Sequence, residues 1–248
     1  MAIRIGVVVF PGSNCDRDTT HGLRVAGAEP VELWHEATSL EGVAAVVLPG
    51  GFAYGDYLRA GVIARFSPVM GAVAAFAADG GLVLGICNGF QVLAEAGLVP
   101  GALLRNRSLR FAGRDVSIVA ERLDTPFTRA LDSPGPLRMP VAHGEGCFYA
   151  DDATLDALER DGRVLFRYVR PDDGSVAGPD DPANPNGSLR AIAGVMNAAG
   201  NVAGLMPHPE RASEAILGSA DGLGILRSVV ESATERSAGT RPLEVGAR

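Results

Sequence analysis

The segment Leu82-Val-Leu-Gly-Ile-Cys-Asn-Gly-Phe-Gln91 decides how this chain folds. Its apolar first half predicts a buried strand, and the apolar spacing after Cys87 predicts a helix. Cys87 stands between Gly85 and Gly89, which gives Gly-x-Cys-x-Gly at a strand-to-helix turn. This is the arrangement of a nucleophile elbow, with sulfur in place of a serine oxygen. Glycine is needed on both sides because larger residues would collide in so sharp a turn. The segment therefore predicts a nucleophilic thiol at a helix N-terminus, where the helix dipole favours a thiolate.

Burial offers a simpler explanation for this cysteine. A cysteine at the end of an apolar strand is commonly an inert, buried hydrophobe. The two flanking glycines favour the elbow, and a base elsewhere in the chain that could serve the thiol would favour it further.

Composition and charge limit the possible classes of protein. The chain has 248 residues, of which 47% are hydrophobic and 21% charged, as in ordinary soluble domains. Its net charge of −7 provides no general attraction to nucleic acid or anionic membranes. Three cysteines without CxxC spacing predict neither a disulfide framework nor a structural zinc site. The first residues indicate a strand rather than a signal peptide, and no apolar stretch reaches membrane-spanning length. We therefore expect a cytoplasmic protein with no nucleic-acid partner, membrane partner, metal or cofactor of its own.

Strands and helices alternate through the first half of the chain, which predicts an α/β fold with a mainly parallel sheet and helices on both faces. Right-handed crossovers bring the loops after parallel strands to one edge of the sheet, where ligands bind in open α/β folds. We expect the turns after these strands to converge there. The predicted strands are 3–10, 31–34, 44–48 and 82–86, and the predicted helices are 16–26, 68–79 and a helix that starts at 88.

The second half of the chain has shorter apolar runs between turn-rich segments, which predict antiparallel additions to the sheet. Pro, Asp, Gly and Asn at 172–187 predict an exposed, mobile loop. A final helix is predicted at 213–233, with Ser213 as its N-cap. We expect a single domain over 3–234 and a disordered tail at 235–248. The additional strands are predicted at 116–120, 137–141, 164–169, 192–196 and 202–206, with a hairpin between the last two.

His208 is the histidine best placed to serve a nucleophilic thiol. It lies in Met206-Pro-His-Pro-Glu210, directly after an apolar run. The prolines favour extended backbone, in which residues two apart face the same side. Glu210 can then orient one ring nitrogen while the other faces the thiol, as in a catalytic triad. The alternative is a turn with a solvated histidine–glutamate pair.

Backbone amides complete the predicted site. Elbow geometry makes the N–H of Asn88 one donor to an oxyanion, and Gly50-Gly51 after the third strand can supply a second because glycine leaves its N–H unobstructed. A simple turn at Gly50-Gly51 is the alternative. The loop 52–61 that follows is long and aromatic for a connector, so we expect it to carry function.

These motifs together resemble a known family. Gly85-Ile-Cys-Asn-Gly-Phe-Gln91 with the later His208-Pro-Glu210 resembles the class I, triad-type glutamine amidotransferases. Three further segments are similar to the glutaminase subunits of phosphoribosylformylglycinamidine synthase. They are Phe10-Pro-Gly-Ser-Asn-Cys-Asp-Arg-Asp18, Gly50-Gly-Phe-Ala-Tyr-Gly-Asp-Tyr-Leu-Arg-Ala-Gly61 and Ala142-His-Gly-Glu-Gly146.

The resemblance implies a flavodoxin-like sheet and a glutaminase. Such subunits hydrolyse glutamine to glutamate and pass ammonia to a synthetase, which uses ATP to convert formylglycinamide ribonucleotide to formylglycinamidine ribonucleotide in purine biosynthesis. It implies that Cys87 is the nucleophile, His208 the general base and acid, and Glu210 its orienting carboxylate. The implied partners are a large synthetase subunit, which would hold ATP and magnesium, and a small accessory subunit.

The resemblance also implies positions that bind glutamine. Gln91 matches a position that holds the substrate, and Gly50-Gly51 matches the oxyanion loop. His143-Gly144 matches a loop whose backbone meets the amino-acid end of glutamine. The roles of Cys15 and of 16–18 stay open, because an N-cap role explains these residues equally well.

Two other functions fit parts of this pattern. Another cysteine hydrolase of the same α/β architecture would share the elbow, although the downstream His208-Pro-Glu210 argues against it. A non-catalytic glutamine-sensing subunit would share the pocket, although an intact triad argues against it.

Overall fold

The structure, a computed structural model, describes residues 2–239. Eleven strands and five α-helices lie within this range. The strands are β1 (Arg4–Val9), β2 (Glu29–Trp34), β3 (Ala45–Leu48), β4 (Leu82–Ile86), β5 (Ala102–Leu104), β6 (Ala112–Ala120), β7 (Leu137–His143), β8 (Cys147–Tyr149), β9 (Val164–Val169), β10 (Ile192–Met196) and β11 (Val202–Leu205). The helices are α1 (Asp16–Val25), α2 (Pro68–Ala78), α3 (Asn88–Glu95), α4 (Asp152–Arg160) and α5 (Leu223–Gly239).

A nine-stranded sheet organises the described part of the chain, in the order β2-β1-β3-β4-β11-β10-β9-β6-β7. The strands from β2 to β11 pair in parallel, and those from β11 to β7 pair antiparallel. Strands β5 and β8 form a separate antiparallel ribbon. The predicted α/β fold, a parallel sheet with antiparallel additions from the second half of the chain, is confirmed.

Burial explains why the sequences of the central strands are continuous apolar runs. Every residue of β3, β4, β9, β10 and β11 is buried. Because successive side chains of a strand point to opposite faces, burial of all of them means that both faces of the sheet are covered. The helices also follow their sequence signals. Helix α2, for example, begins at Pro68, where the fixed φ of proline suits a first helical turn.

The last helix begins later than predicted. Ser213 is not its N-cap, because the hydroxyl of Ser213 donates to the carbonyl of Glu210 at 3.1 Å and α5 starts only at Leu223. A short 3-10 turn at Ala215–Leu217 ends at Gly218, whose φ of +99° breaks the helical path. The intervening apolar residues misled the prediction because they are exposed rather than packed on a helix face.

The last helix also extends further along the chain than predicted. Helix α5 continues to Gly239, so the predicted disordered tail does not begin at residue 235. The remainder of that predicted tail, 240–248, lies outside the described residues. None of the helices in residues 2–239 combines the length and apolar character needed to cross a bilayer.

The loop at 172–187 is less exposed than its composition predicts. Asn184, Asn186 and the following Ser188 are buried. The side-chain oxygen of Asn184 accepts the amides of Gly187 and Ser188, at 3.1 and 3.2 Å. Asparagine thus supplies this buried turn with hydrogen bonds that its backbone could not otherwise make.

Three elements were missed. Helix α4 has Asp151 as its N-cap, which accepts the amide of Thr154 at 2.7 Å, and it buries Leu155 and Leu158. This cap and the apolar spacing were visible in the sequence. Strands β5 and β8 are three residues each, too short for a pattern with period two to stand out.

Candidate active site

The ends of adjacent parallel strands bring the predicted site residues together. Strands β3, β4 and β11 are neighbours in the sheet. Gly50-Gly51 follows β3, Cys87 follows β4 and His208 follows β11 closely. The predicted convergence of these turns at one edge is therefore observed, and it results from the parallel pairing.

Cys87 sits on a strained elbow. Its φ of +50° and ψ of −105° lie outside the regions that ordinary residues prefer. A Cβ at Gly85 would lie 2.7 Å from the backbone of Gly89, and a Cβ at Gly89 would lie 2.0 Å from the carbonyl oxygen of Leu48. Both glycines are thus required by close backbone packing. The strain is of the kind that folds retain at functional positions.

His208 and Glu210 form a buried pair. Their Nδ1 and Oε1 atoms are 2.5 Å apart, and both side chains are almost completely shielded from solvent. The extended backbone ends with β11 at Leu205, and a 3-10 turn begins at Pro209. This turn, rather than the predicted extended segment, brings Glu210 alongside the ring. The backbone amide of His208 donates to the carbonyl of Pro140 at 2.9 Å, which anchors the segment to the antiparallel half of the sheet.

The charges around His208 favour its protonated form. Burial by itself lowers the pKa of His208, but Glu210 and the sulfur of Cys87 outweigh burial and raise the pKa well above its usual value. Since Glu210 occupies Nδ1, the other ring nitrogen is available to a reacting group. Among residues 2–239, Nε2 has no hydrogen-bond partner of good geometry, although both Cys87 and Cys15 lie close enough to act on the ring. An imidazolium beside a thiolate is the ion pair that cysteine nucleophiles use.

Gly50 and Gly51 form the wall opposite the elbow. A Cβ at Gly50 would lie 2.7 Å from Cε1 of His208 and 3.4 Å from Cβ of Cys87, so only glycine fits there. Gly51 has a φ of +148° and pairs with the N-terminal turn in an isolated bridge. The hydrogen bonds of this bridge run from the Phe52 amide to Gly12 and from the Cys15 amide to Gly50, and neither uses the Gly51 amide.

Cys15 also lies near His208. Its sulfur is 3.0 Å from Nη2 of Arg211, and Arg211 in turn contacts Asp18 at 3.1 Å. Burial raises the pKa of Cys15, although His208 and Arg211 act in the opposite direction. Cys15, His208 and Glu210 have possible ligand atoms within 4.8 Å of one another. The guanidinium beside the sulfur opposes a metal cation there, and we assign none.

A small cavity opens beside Cys87. Its volume is about 160 Å³, enough for a small-molecule substrate, and its walls come from both halves of the sheet. The lining includes the predicted residues Gly51, Cys87, Gln91, His143 and Gly144, together with two acids that were not predicted, Asp56 and Glu145.

Asn88 and Gln91 belong to one hydrogen-bond network along this cavity. The Nδ2 group of Asn88 donates to Oε1 of Gln91 at 2.8 Å and to Oδ1 of Asp56 at 3.0 Å. Nε2 of Gln91 donates to the carbonyl of Glu145 at 2.5 Å. Oδ1 of Asn88 accepts the amide of Ala53 at 3.0 Å. The network ties the elbow helix to the loop after β3 and to the loop after β7.

His143 is held as a neutral, structural ring. Burial, and then the charge of His208, lower the pKa of His143 to about 4. Nδ1 of His143 lies 3.1 Å from Oδ1 of Asn106, and the same oxygen accepts the amide of Gly146 at 3.0 Å. The backbone amide of Asn106 also donates to the Gly144 carbonyl, at 2.8 Å. The His143 side chain thus shapes the loop, and the backbone of the loop lines the cavity.

Sequence reasoning missed Asn106, Asp56 and Glu145. Nothing in the local pattern distinguishes Asn106, because its partners lie almost forty positions away in the chain. Asp56 lies in the aromatic loop that was predicted to carry function, and Glu145 lies in the His-Gly-Glu-Gly motif, so both were inside segments that had a signal.

Comparison with known proteins agrees with this geometry. Residues 2–221 match the CobB/CobQ-like glutamine amidotransferase domain. The phosphoribosylformylglycinamidine synthase subunit PurQ of Rubrobacter xylanophilus is 59% identical, over 93% of this chain and 99% of its own length. Its counterpart in Salinibacter ruber is 55% identical, over 93% and 97%. A chain in the structure of PurLQS from Thermotoga maritima is 43% identical, with a TM-score of 0.80 over 93% of this chain and 99% of that one. The chain therefore belongs to the CobB/CobQ-like glutamine amidotransferases, and the class I resemblance of its motifs is confirmed.

Proposed function

We propose that this protein is the glutaminase subunit of a phosphoribosylformylglycinamidine synthase. The observation that carries the proposal is the thiol of Cys87 at the wall of a small cavity, on an elbow, with the buried His208–Glu210 pair beside it. Membership of the amidotransferase family and the names of relatives that match the whole length of the domain support the choice of glutamine.

In the proposed reaction, the thiolate of Cys87 attacks the side-chain amide carbon of glutamine. The oxyanion that forms lies between the amides of Gly51 and Asn88, the first after β3 and the second at the start of α3. First-turn amides of a helix have no intrahelical partner, so the Asn88 amide can donate. His208 protonates the departing ammonia and then deprotonates the water that releases glutamate from the thioester.

Glu210 keeps His208 in the protonation state and orientation that both steps need. Its charge helps to keep the pKa of the ring high, which suits a group that first gives up a proton to ammonia. The oxygen at Nδ1 also fixes the ring so that the opposite nitrogen carries the transferred proton.

The remaining predicted residues form the glutamine pocket. Gly50 provides room for the ring of His208, and Gln91 braces the wall through Asn88 and the Glu145 carbonyl. The backbone of His143 and Gly144 lies on the opposite wall, where it meets the amino-acid end of glutamine. The His143 side chain supports that backbone and does not react.

Ammonia passes from this subunit to a large synthetase subunit, with a small accessory subunit in the same assembly. Relatives named as a synthase subunit, and the similarity to a chain of PurLQS, support these partners. We place ATP and magnesium on the synthetase, because this sequence has no Gly-x-x-x-x-Gly-Lys-Ser/Thr segment. A role in purine biosynthesis supports a cytoplasmic location for the assembly.

A glutaminase assay of the protein alone and in complex with its synthetase subunits tests the proposal. We expect glutamate release in the complex, and we expect Cys87→Ala to abolish both glutamate release and glutamine-dependent synthesis. Synthesis from added ammonium salts should persist in the Cys87→Ala complex, because only the nitrogen source is lost. Unchanged glutamine-dependent synthesis by that variant would overturn the assignment.

Labelling separates glutamine from other possible substrates. A glutamine-analogue alkylating agent should modify Cys87, as peptide mass spectrometry would detect, and excess glutamine should protect it. Modification without protection by glutamine would favour a cysteine hydrolase of another specificity.

A further inference from the structure

The cavity beside Cys87 has two carboxyl groups in its wall, and they differ in how their charge is balanced. Glu145 accepts the amide of Ala60 at 3.2 Å and lies 3.8 Å from Nε of Arg105. Asp56 accepts a hydrogen bond from the neutral amide of Asn88 at 3.0 Å and, among residues 2–239, makes no ion pair. One acid in the cavity therefore has a cation nearby, and the other has none.

This imbalance makes the cavity unfavourable for an ionised Asp56. The pKa of Asp56 is raised to about 6. Burial is the main cause and the charge of Glu145 acts in the same direction, while the hydrogen bond from Asn88 offsets only part of the rise. A carboxylate that is partly withdrawn from water and close to a second acid gains most from a cation that enters beside it. The cavity is therefore better suited to a positively charged ligand group than to a neutral one.

The backbone holds Asp56 at a fixed place relative to the nucleophile. Tyr54, Gly55 and Asp56 all have φ between +51° and +71°, so the chain turns in the left-handed region there. The Asn88 side chain then ties the Asp56 carboxyl group to the residue that follows Cys87. A carboxyl group fixed in this way can read one end of a substrate whose other end is held at the thiol.

The amide of Gln91, in the same wall, is already occupied. Both ends of the Gln91 side-chain amide have protein partners, Asn88 at the oxygen and the Glu145 carbonyl at the nitrogen. The second oxygen of the Asp56 carboxyl group, in contrast, has neither a hydrogen-bond partner nor a cation within residues 2–239, so it can accept a hydrogen bond from a ligand. Because the carboxamide of glutamine must lie at Cys87, the amino-acid end of glutamine occupies the rest of the cavity, whose wall includes Asp56.

We propose that Asp56 binds the α-ammonium group of the substrate and thereby selects α-amino acids over amides that lack this group. The proposal rests on the function proposed above, since it concerns how glutamine is read in the same cavity. Asp56 acts on specificity, and the chemistry remains with Cys87 and His208.

The test compares two substrates in the complete complex. One is glutamine, and the other is glutaramate, which is glutamine without its α-amino group. Ammonia release is measured for both with the wild type, Asp56→Asn and Asp56→Gly. Asparagine keeps the size of the side chain and, like glycine, tolerates the φ of +51° at this position. The two variants therefore provide independent chances of a folded protein. Glu145→Gln is the matched control, because it removes the other acid of the same cavity.

We expect both Asp56 variants to raise KM for glutamine by roughly tenfold to a hundredfold, the usual cost of a lost hydrogen bond between charged groups. The kcat for glutamine and the kcat/KM for glutaramate should change by no more than about twofold, because uniform binding of the ammonium is all that is lost. The preference of the wild type for glutamine over glutaramate should then largely disappear. Glu145→Gln should keep that preference.

Four results would overturn the proposal. Equal losses for the two substrates in the Asp56 variants would mean that Asp56 only shapes the cavity. Unchanged kinetics for both substrates in the Asp56 variants, or loss of the preference in Glu145→Gln, would place the ammonium elsewhere. A wild-type complex that releases no ammonia from glutamine would instead overturn the proposed function itself, and the assignment of Asp56 with it.

Discussion

Cys87 and Cys15 are both buried and both lie near His208, yet their other surroundings differ. Cys87 stands on a strained elbow at the start of α3 and lines the cavity. Cys15 precedes α1 and has the guanidinium of Arg211 at 3.0 Å from its sulfur. Because both thiols share this imidazole, His208 alone does not explain why we propose Cys87 as the nucleophile. A route for substrate and free amides to receive an oxyanion are needed as well.

The largest effect on this comparison should come from Glu210, whose charge acts on His208, the neighbour of both thiols. Glu210→Gln removes the carboxylate that helps to raise the pKa of His208, and it weakens the hold on Nδ1. We expect kcat for glutamine hydrolysis to fall by roughly 10³- to 10⁴-fold, as when an orienting carboxylate is neutralised in other triads. Steady-state kinetics of the complex would measure it, and circular dichroism would establish that the variant is folded. A loss of tenfold or less would show that the ring needs no charged partner.

Alkylation should separate the two thiols next. In the folded protein at neutral pH, we expect iodoacetamide to modify Cys87 and to react with Cys15 at least roughly a hundredfold more slowly. Cys87 lines the cavity, whereas Cys15 is not among the residues that line it, and burial raises the pKa of Cys15, which keeps it protonated. Peptide mass spectrometry over time would follow both sites, with urea-unfolded protein as the reference. Equal alkylation rates of Cys87 and Cys15 in the folded protein would contradict the proposed difference between the two thiols.

A smaller effect should follow from filling the space between the thiols. The added methyl group of Gly50→Ala would lie 2.7 Å from Cε1 of His208 and 3.1 Å from the sulfur of Cys15. We expect the ring to shift and kcat to fall roughly tenfold to a hundredfold, because small misplacements of catalytic groups are costly. Gly71→Ala in α2 is the matched control, since a Cβ there meets nothing within 4 Å. Its activity should match the wild type, and similar losses in both variants would point to a general effect on folding.

The smallest effect should be that of Cys15→Ser. The serine hydroxyl can keep a polar contact with Arg211, and the nucleophile, base and amides are untouched. We expect kcat/KM to change by less than about fivefold. Cys147→Ser, in β8, is the control for replacing a cysteine outside the site. A loss for Cys15→Ser comparable with that of Cys87→Ala would mean that both thiols take part in the reaction.

The two cysteines also differ in how far the sequence alone could predict their surroundings. Cys87 and the His208–Glu210 pair each lie in a short sequence motif that is typical of the proposed chemistry, so the sequence pointed to them directly. Cys15 gave no such signal, because its contact with Arg211 spans 196 positions of the chain. Asp56 and Asn106 likewise depend on partners brought close only by the fold. Local patterns predict a group, and tertiary packing decides its environment.

The strands and helices of the fold also differ in how well a local sequence pattern predicts them. Strands β9 and β10 have the predicted bounds, since a strand that is buried along its whole length is apolar along its whole length. The start of α5 could not be read in this way. Ile216 and Leu217 have helical spacing with their neighbours but are exposed, and the backbone of Gly222 lies against Pro209 where no larger residue fits. That close approach between distant segments leaves no mark in a local pattern.

Gly89 acts as a spacer between the two proposed oxyanion donors. It lies in the first turn of α3, directly against the carbonyl of Leu48 at the end of β3. Leu48 is followed almost at once by Gly51, and Gly89 follows directly on Asn88. The distance between the Gly51 and Asn88 amides is therefore set by a contact between two backbones, which is far stiffer than a contact between side chains. The spacing of the two proposed donors thus depends on how β3 packs against α3, and not on the side chains that line the cavity.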